Sequence, residues 1–147
     1  MYHYKEIGLR NVWLANGYRT IDTAYGKATA IEDVEGLHQA IGGLLATSKP
    51  RLTGAEFRFL RKELSLSQAG FGGLFGLQAQ TVALWERGKQ RVPKLADRMI
   101  RVLYLESIGG NDKVNDLIKR LNDLDQQRLE RKQIFQETAK GWMPKAA

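Results

Sequence analysis

The amino-acid sequence predicts a mainly α protein with a small N-terminal β-hairpin module, a compact helix-turn-helix core and a long C-terminal helix. Three observations carry this reading. Apolar residues recur at helical spacing from Phe57 to Tyr104, while short β-branched and aromatic runs punctuated by turn signals are confined to the first third. Beyond Gly109-Gly110, the residues Val114, Leu117, Leu121 and Leu124 repeat at intervals of three and four.

Residues 1–48 make the first part. Val12-Trp13-Leu14, Arg19–Thr23 and Lys27–Ile31 read as short strands, with turns at Asn16-Gly17 and Tyr25-Gly26. The Asn-Gly pair is a strong hairpin signal, because both residues tolerate a left-handed backbone. Asp33 then caps a helix from Val34 to about Ala46, whose apolar set is Val34, Leu37, Ile41, Leu44 and Leu45. Gly42-Gly43 weakens that helix and leaves its end open. The carboxylates Glu32, Asp33 and Glu35 complement the helix dipole, and His38 is expected at a surface or interface. So small a ββα module has too few residues for a core of its own, and is expected to pack on the rest of the chain or on a partner.

Residues 49–108 form the second part, entered through Lys49-Pro50. Thr53 and Glu56 have the spacing of a capping box, opening a helix from Gly54 to Leu64 that buries Phe57, Leu60 and Leu64. Helices over Ser67–Phe75 and Ala79–Arg87 follow, and after Pro93 another runs to about Ser107. In the third part, residues 109–147, Asn111 or Asp112 caps a helix from Lys113 to about Thr138, and Trp142–Ala147 reads as a tail. Arg128 and Arg131 end its apolar seam after two heptads. No internal repeat is expected.

The central pair of helices carries the chemistry. Ser67 caps the first, Gln68 is placed to offer its amide to a phosphate, Gly72 permits a close crossing, and Gly76 supplies a left-handed turn. Val82 and Trp85, three apart, anchor the second helix, which leaves Ala79, Gln80, Ala83, Leu84 and Arg87 nearer its outer side. In a major groove, Gln80 can pair bidentately with adenine, Ala79 and Leu84 can meet a thymine methyl, and Gln78, Thr81, Arg87 and Lys89 can reach phosphates or bases. Arg91 and Lys94 add neighbouring positive charge, and part of the specificity is expected from DNA shape. The first helix contains Gly70, Gly72 and Gly73, each costing roughly 0.5–1 kcal/mol against alanine, so it must lean on Phe71, Leu74 and Phe75.

Charge agrees with this assignment. The chain of 147 residues has a formal net charge of +7. Residues 51–105 hold ten Lys/Arg against four Asp/Glu, while the segments on either side are close to neutral. A basic balance confined to the motif is the footprint expected of phosphate binding. There is no cysteine, hence no disulfide, thiolate metal site or thiol nucleophile. With only His3 and His38 and no telling nucleophile nearby, no enzyme activity, metal or cofactor is expected. The start of the chain has no signal-peptide core and no apolar run approaches membrane-spanning length, so a cytoplasmic protein is expected.

The run from Leu66-Ser67-Gln68 through Trp85-Glu86-Arg87-Gly88-Lys89 resembles the Xre/Cro family of helix-turn-helix regulators, and the likeness extends over roughly Leu52–Leu105. It implies a lambda-repressor-like five-helix domain. The stretch Leu52–Leu64 is similar, more narrowly, to the DNA-binding half of MqsA-type antitoxins, although the paired cysteines of their zinc module are absent. The resemblance implies a homodimer of bacterial, phage or mobile-element origin that binds a palindromic double-stranded operator and represses its own operon. It assigns groove contacts to Gln78, Ala79, Gln80, Thr81 and Leu84 and a phosphate contact to Gln68. The alternative it carries is an antitoxin that neutralises a protein toxin through the N-terminal module or C-terminal helix while also repressing.

Overall fold

A computed structural model of the protein describes residues 1–109 and 134–145. The chain opens with two short strands, β1 (Tyr2–His3) and β2 (Trp13–Leu14), which pair antiparallel. A second antiparallel pair follows, β3 (Tyr18–Thr23) with β4 (Gly26–Ile31), in register from Tyr18 opposite Ile31 to Thr23 opposite Gly26. Five helices come next: α1 (Val34–Ser48), α2 (Gly54–Glu63), α3 (Gln68–Leu74), α4 (Ala79–Glu86) and α5 (Lys94–Ile108). A last hairpin joins β5 (Ile134–Thr138) and β6 (Gly141–Lys145).

The helices bury the residues that the spacing selects. Phe57, Leu60, Phe71, Val82 and Ile100 are wholly enclosed, and Tyr104, Trp85 and Leu64 nearly so. Leu45 and Ala46 of α1 and Leu9 from the N-terminal segment join the same cluster. Residues 49–108 therefore supply four helices, and α1, from the segment before them, is the fifth in the shared core. Its apolar set is only partly inward: Leu45 is buried, whereas Val34 and Leu44 are exposed. Gly42 explains why two glycines do not end α1. A Cβ there would lie 2.2 Å from the Tyr104 ring and hydroxyl, so the bare backbone is what lets α1 and α5 approach.

Local signals set the helix starts. Thr53 and Glu56 form the capping box, with Thr53 Oγ1 accepting from the Glu56 N–H and Glu56 Oε1 from the Thr53 N–H. Ser67 accepts from the Gly70 N–H at 2.8 Å, and Asp33 from the Gly36 N–H at 3.1 Å.

Two expectations are corrected. Asn16-Gly17 does not join two paired strands, because β2 pairs with β1 and β3 with β4. Gly17 instead bends the chain at φ 76°, and its carbonyl extends the second hairpin by accepting from the Glu32 N–H. Ile134–Thr138, expected as the end of the long helix, is a strand, and the expected tail from Trp142 is largely strand. Ile134, Phe135, Thr138 and Trp142 are β-formers, and Pro144 cannot donate in a helix. Residues 110–133, which hold most of the expected C-terminal helix, lie outside the described residues. The turns of the β3–β4 and β5–β6 hairpins are alike. Thr23-Ala24-Tyr25-Gly26 and Thr138-Ala139-Lys140-Gly141 make the same turn, the Thr hydroxyl donating to the Gly carbonyl (2.6 and 2.8 Å) and accepting from the N–H two residues on (3.3 and 3.2 Å).

Candidate nucleic-acid interface

Helices α3 and α4 are joined by the turn Phe75–Gln78, in which Gly76 takes φ 69°. The Gly72 carbonyl accepts from the Phe75 and Leu77 N–H groups at 3.0 and 2.8 Å. A Cβ on Gly72 would stand 2.7 Å from the Leu77 carbonyl oxygen, so the tight turn depends on this glycine. Beneath the pair, Phe57 meets Phe71 and Trp85 edge-on, with ring centres 5.0 and 5.7 Å away. Val82 and Trp85 thus hold α4 to the core, as their spacing predicts.

A buried ion pair ties α2, α3 and α4 together. Arg61 donates from Nε and Nη2 to the two Glu86 oxygens at 2.6 and 2.8 Å, and from Nη1 to the Leu66 carbonyl at 2.8 Å. Both side chains are nearly inaccessible. Such a fork-to-carboxylate pair fixes orientation as well as distance. Gln68, half-buried, donates its amide N–H to Glu86 Oε1 at 3.1 Å, so its nitrogen serves this clamp. Sequence reasoning did not single out the clamp. The signal was present: Arg61 falls four residues after Phe57 and three before Leu64, within the apolar stripe of α2.

The remaining expected site residues lie along α4 and the loop that follows. Gln78 is the N-cap of α4 and makes no side-chain capping bond, and both it and Gln80 are exposed. Ala79, Thr81 and Leu84 are half-buried. Arg87, Lys89 and Arg91, in the loop to α5, are exposed, as is Lys94 in the first turn of α5.

Each acid of the segment has a partner, and Glu56, Glu86 and Asp97 have buried side chains while Glu63 is exposed. Glu56 is in the capping box and pairs with Lys49 at 3.2 Å, and Glu86 is in the clamp. Glu63 accepts from His38 Nδ1 at 2.9 Å. Asp97, 1% exposed, accepts from the Leu52 N–H at 2.8 Å, from Arg98 at 2.7 Å and from Arg101 at 3.2 Å. Burial alone would raise the Asp97 carboxyl, but the Leu52 N–H and the two guanidinium groups outweigh it and hold the carboxyl below the usual carboxylate range. Arg87, Lys89, Arg91 and Lys94, by contrast, make no ion pair among the described residues. The positive surplus of the segment is therefore presented at its surface.

His38, expected at a surface or interface, lies at an internal interface. Half-buried, it receives the Tyr4 hydroxyl on Nε2 at 2.9 Å while Nδ1 faces Glu63, so it links the N-terminal segment, α1 and α2. With Glu63 ionised, the Nδ1–H tautomer satisfies both bonds. Burial lifts the Tyr4 hydroxyl above its ordinary pKa and pushes that of Tyr104, which donates to the His38 carbonyl, up to about 12. The two tyrosine hydroxyls therefore stay neutral at physiological pH.

Among the described residues no helix is long and apolar enough to cross a membrane. No family model, curated protein or solved structure matches the chain.

Proposed function

We propose that the protein is a sequence-specific double-stranded-DNA-binding transcriptional regulator, a dimeric autorepressor acting on a palindromic operator. The observation that carries this reading is the pairing of a clamped two-helix unit with an uncompensated basic edge. Arg61, Glu86 and Gln68 tie α2, α3 and α4 together, while Gln78 and Gln80 stand exposed at the start of α4 and four cations without an ion pair among the described residues follow its end. A rigid helix with polar readers at its N-terminus and cations alongside suits major-groove entry with phosphate anchoring.

Titration of the purified protein against the DNA upstream of its own gene, with scrambled competitor and varied salt, tests the proposal. Tight, competitor-resistant binding to a two-fold site is expected, and Gln80→Ala should weaken it by about 1–3 kcal/mol while relaxing base preference at one position per half-site. Binding equal to that of scrambled DNA would sink the proposal.

A second reading, in which the chain also neutralises a protein toxin, is favoured by the β3–β4 hairpin. Among the described residues its two strands have no further neighbour, Tyr25 at its tip is fully exposed and Ile21 is 42% exposed. Open strand edges of this kind can accept a partner's strand. No association with the product of an adjacent gene would remove this reading, and association that survives deletion of residues 18–31 would move the contact off the hairpin.

A further inference from the structure

Helix α5 carries two apolar stripes, and only one of them faces the core. Ala96, Ile100 and Tyr104 are buried on its inner side. Away from these, Leu95, Met99, Val102 and Leu105 recur at intervals of four, three and three, the spacing of a second helical face. Leu95 is 69% exposed, Val102 56% and Leu105 39%, with Met99 half-buried beside them. The solvent side of a surface helix is ordinarily polar, and a contiguous apolar strip there marks an interaction surface.

The residues of this strip are matched about its middle. Met99 stands three residues before Val102 and Leu105 three after, while Arg98 stands four before and Glu106 four after. Against a second α5 crossing antiparallel at Val102, Met99 therefore comes level with Leu105 of the other copy, and Arg98 level with its Glu106. Each pairing occurs twice, because a two-fold axis repeats it. Arg98 donates to Asp97 at 2.7 Å but keeps half of its side chain in solvent, and Glu106 is exposed. Farther out, Leu95 comes level with Gly109 of the other copy, which has no side chain to obstruct it. A parallel pairing would instead set Arg98 on Arg98 and Glu106 on Glu106, so charge selects the antiparallel one.

We propose that this face of α5 is the surface on which two copies of the chain associate, antiparallel, about a two-fold axis through Val102. The inference deepens the regulator reading and rests on it for the symmetry. A two-fold axis perpendicular to α5 relates the two copies of α4 as the halves of a palindrome are related. One helix face is smaller than the roughly 800 Å² per partner of a standard interface, so the dimer is expected to dissociate in the micromolar range.

The test is sedimentation equilibrium of the full chain without DNA, between micromolar and millimolar concentration. A monomer–dimer equilibrium is expected. Val102→Glu sets two carboxylates against each other on the axis and should weaken the dimer by roughly tenfold or more. Val102 is exposed, and an unchanged circular-dichroism spectrum certifies the fold of the variant. The chain has no cysteine, so single replacements can locate the axis. Val102→Cys should cross-link to its own copy under mild air oxidation. Leu95→Cys, no less exposed, should not. Its two copies stand about 20 Å apart along the helices, well beyond the about 7 Å that a disulfide spans between Cα atoms.

A chain that stays monomeric at millimolar concentration would overturn the proposal and leave this face to residues 110–133 of the same chain or to a different protein. A dimer indifferent to Val102→Glu would also overturn it, as would cross-linking of Leu95→Cys as fast as that of Val102→Cys. Association is read without DNA, so the two failures are distinguishable. Operator binding by a dimer that ignores Val102 would sink only this inference, and a Val102-dependent dimer without operator binding would sink only the regulator reading.

Discussion

The α2–α4 unit and the β3–β4 hairpin are both well hydrogen-bonded, yet they stand in opposite relation to solvent. In the former, Phe57, Phe71 and Val82 are wholly buried and one ion pair is buried with them. In the latter, residues 18–28 are exposed apart from the half-buried Tyr18, although the ladder pairs all six positions of each strand. A helical repeat gathers its apolar residues on one stripe, which another helix can cover, whereas successive strand residues face opposite sides and a lone hairpin can bury neither. The difference teaches that regular backbone bonding makes an element, and only a covered apolar face makes a core.

Substitutions can break or sharpen this contrast. The largest effect is expected from Arg61→Ala, which strands the Glu86 carboxylate in a buried site and should cost about 3–5 kcal/mol in a denaturant melt. A loss below about 1 kcal/mol would show the clamp to be solvated. Gly54→Ala comes next, because a Cβ there would lie 2.1 Å from the Trp85 carbonyl oxygen. Forcing α2 off α4 should cost about 1–3 kcal/mol even though alanine is the better helix former.

The Asp97 anchor should make the helical core acid-sensitive. Its folded pKa lies below the unfolded value, so its stabilisation is complete above about pH 4 and is lost as pH falls through the folded pKa. Urea midpoints measured from pH 6 to 2.5 should fall in the wild type and lose part of that slope in Asp97→Asn; parallel profiles would assign acid sensitivity elsewhere. The smallest effect is expected in the hairpin, where Ile21→Ala should change global stability by no more than about 0.5 kcal/mol. A cost above about 2 kcal/mol would erase the contrast, since it would mean that β3 is covered in solution.

Much of the helical region is legible along the chain. Thr53, Glu56 and Ser67 mark helix starts through bonds made within four residues, and the spacing of Phe57, Leu60, Val82 and Trp85 foretells burial. The exposure of Gln78, Gln80 and the cations from Arg87 to Lys94 follows from the same pattern. The C-terminal hairpin was legible too, in a Thr-Ala-x-Gly turn present twice, but helical periodicity upstream masked it. Less accessible was the choice of partners. Its place in the apolar stripe of α2 marks Arg61 for burial, unlike the exposed Arg58 three residues earlier, but nothing local names Glu86 as its partner.

What the sequence by itself determined is therefore local: the caps, the left-handed Gly76, the helical stripes and the concentration of positive charge in residues 51–105. The tertiary structure alone decided that α1 closes on α5 over Gly42, that Gln68 turns its amide nitrogen to Glu86, and that each acid of the motif segment finds a partner, three of them buried and Glu63 exposed beside His38. The reason is range. Caps and turns are satisfied within a few residues, whereas an ion pair or a close helix crossing joins groups dozens of residues apart, and its identity exists only once the chain has packed.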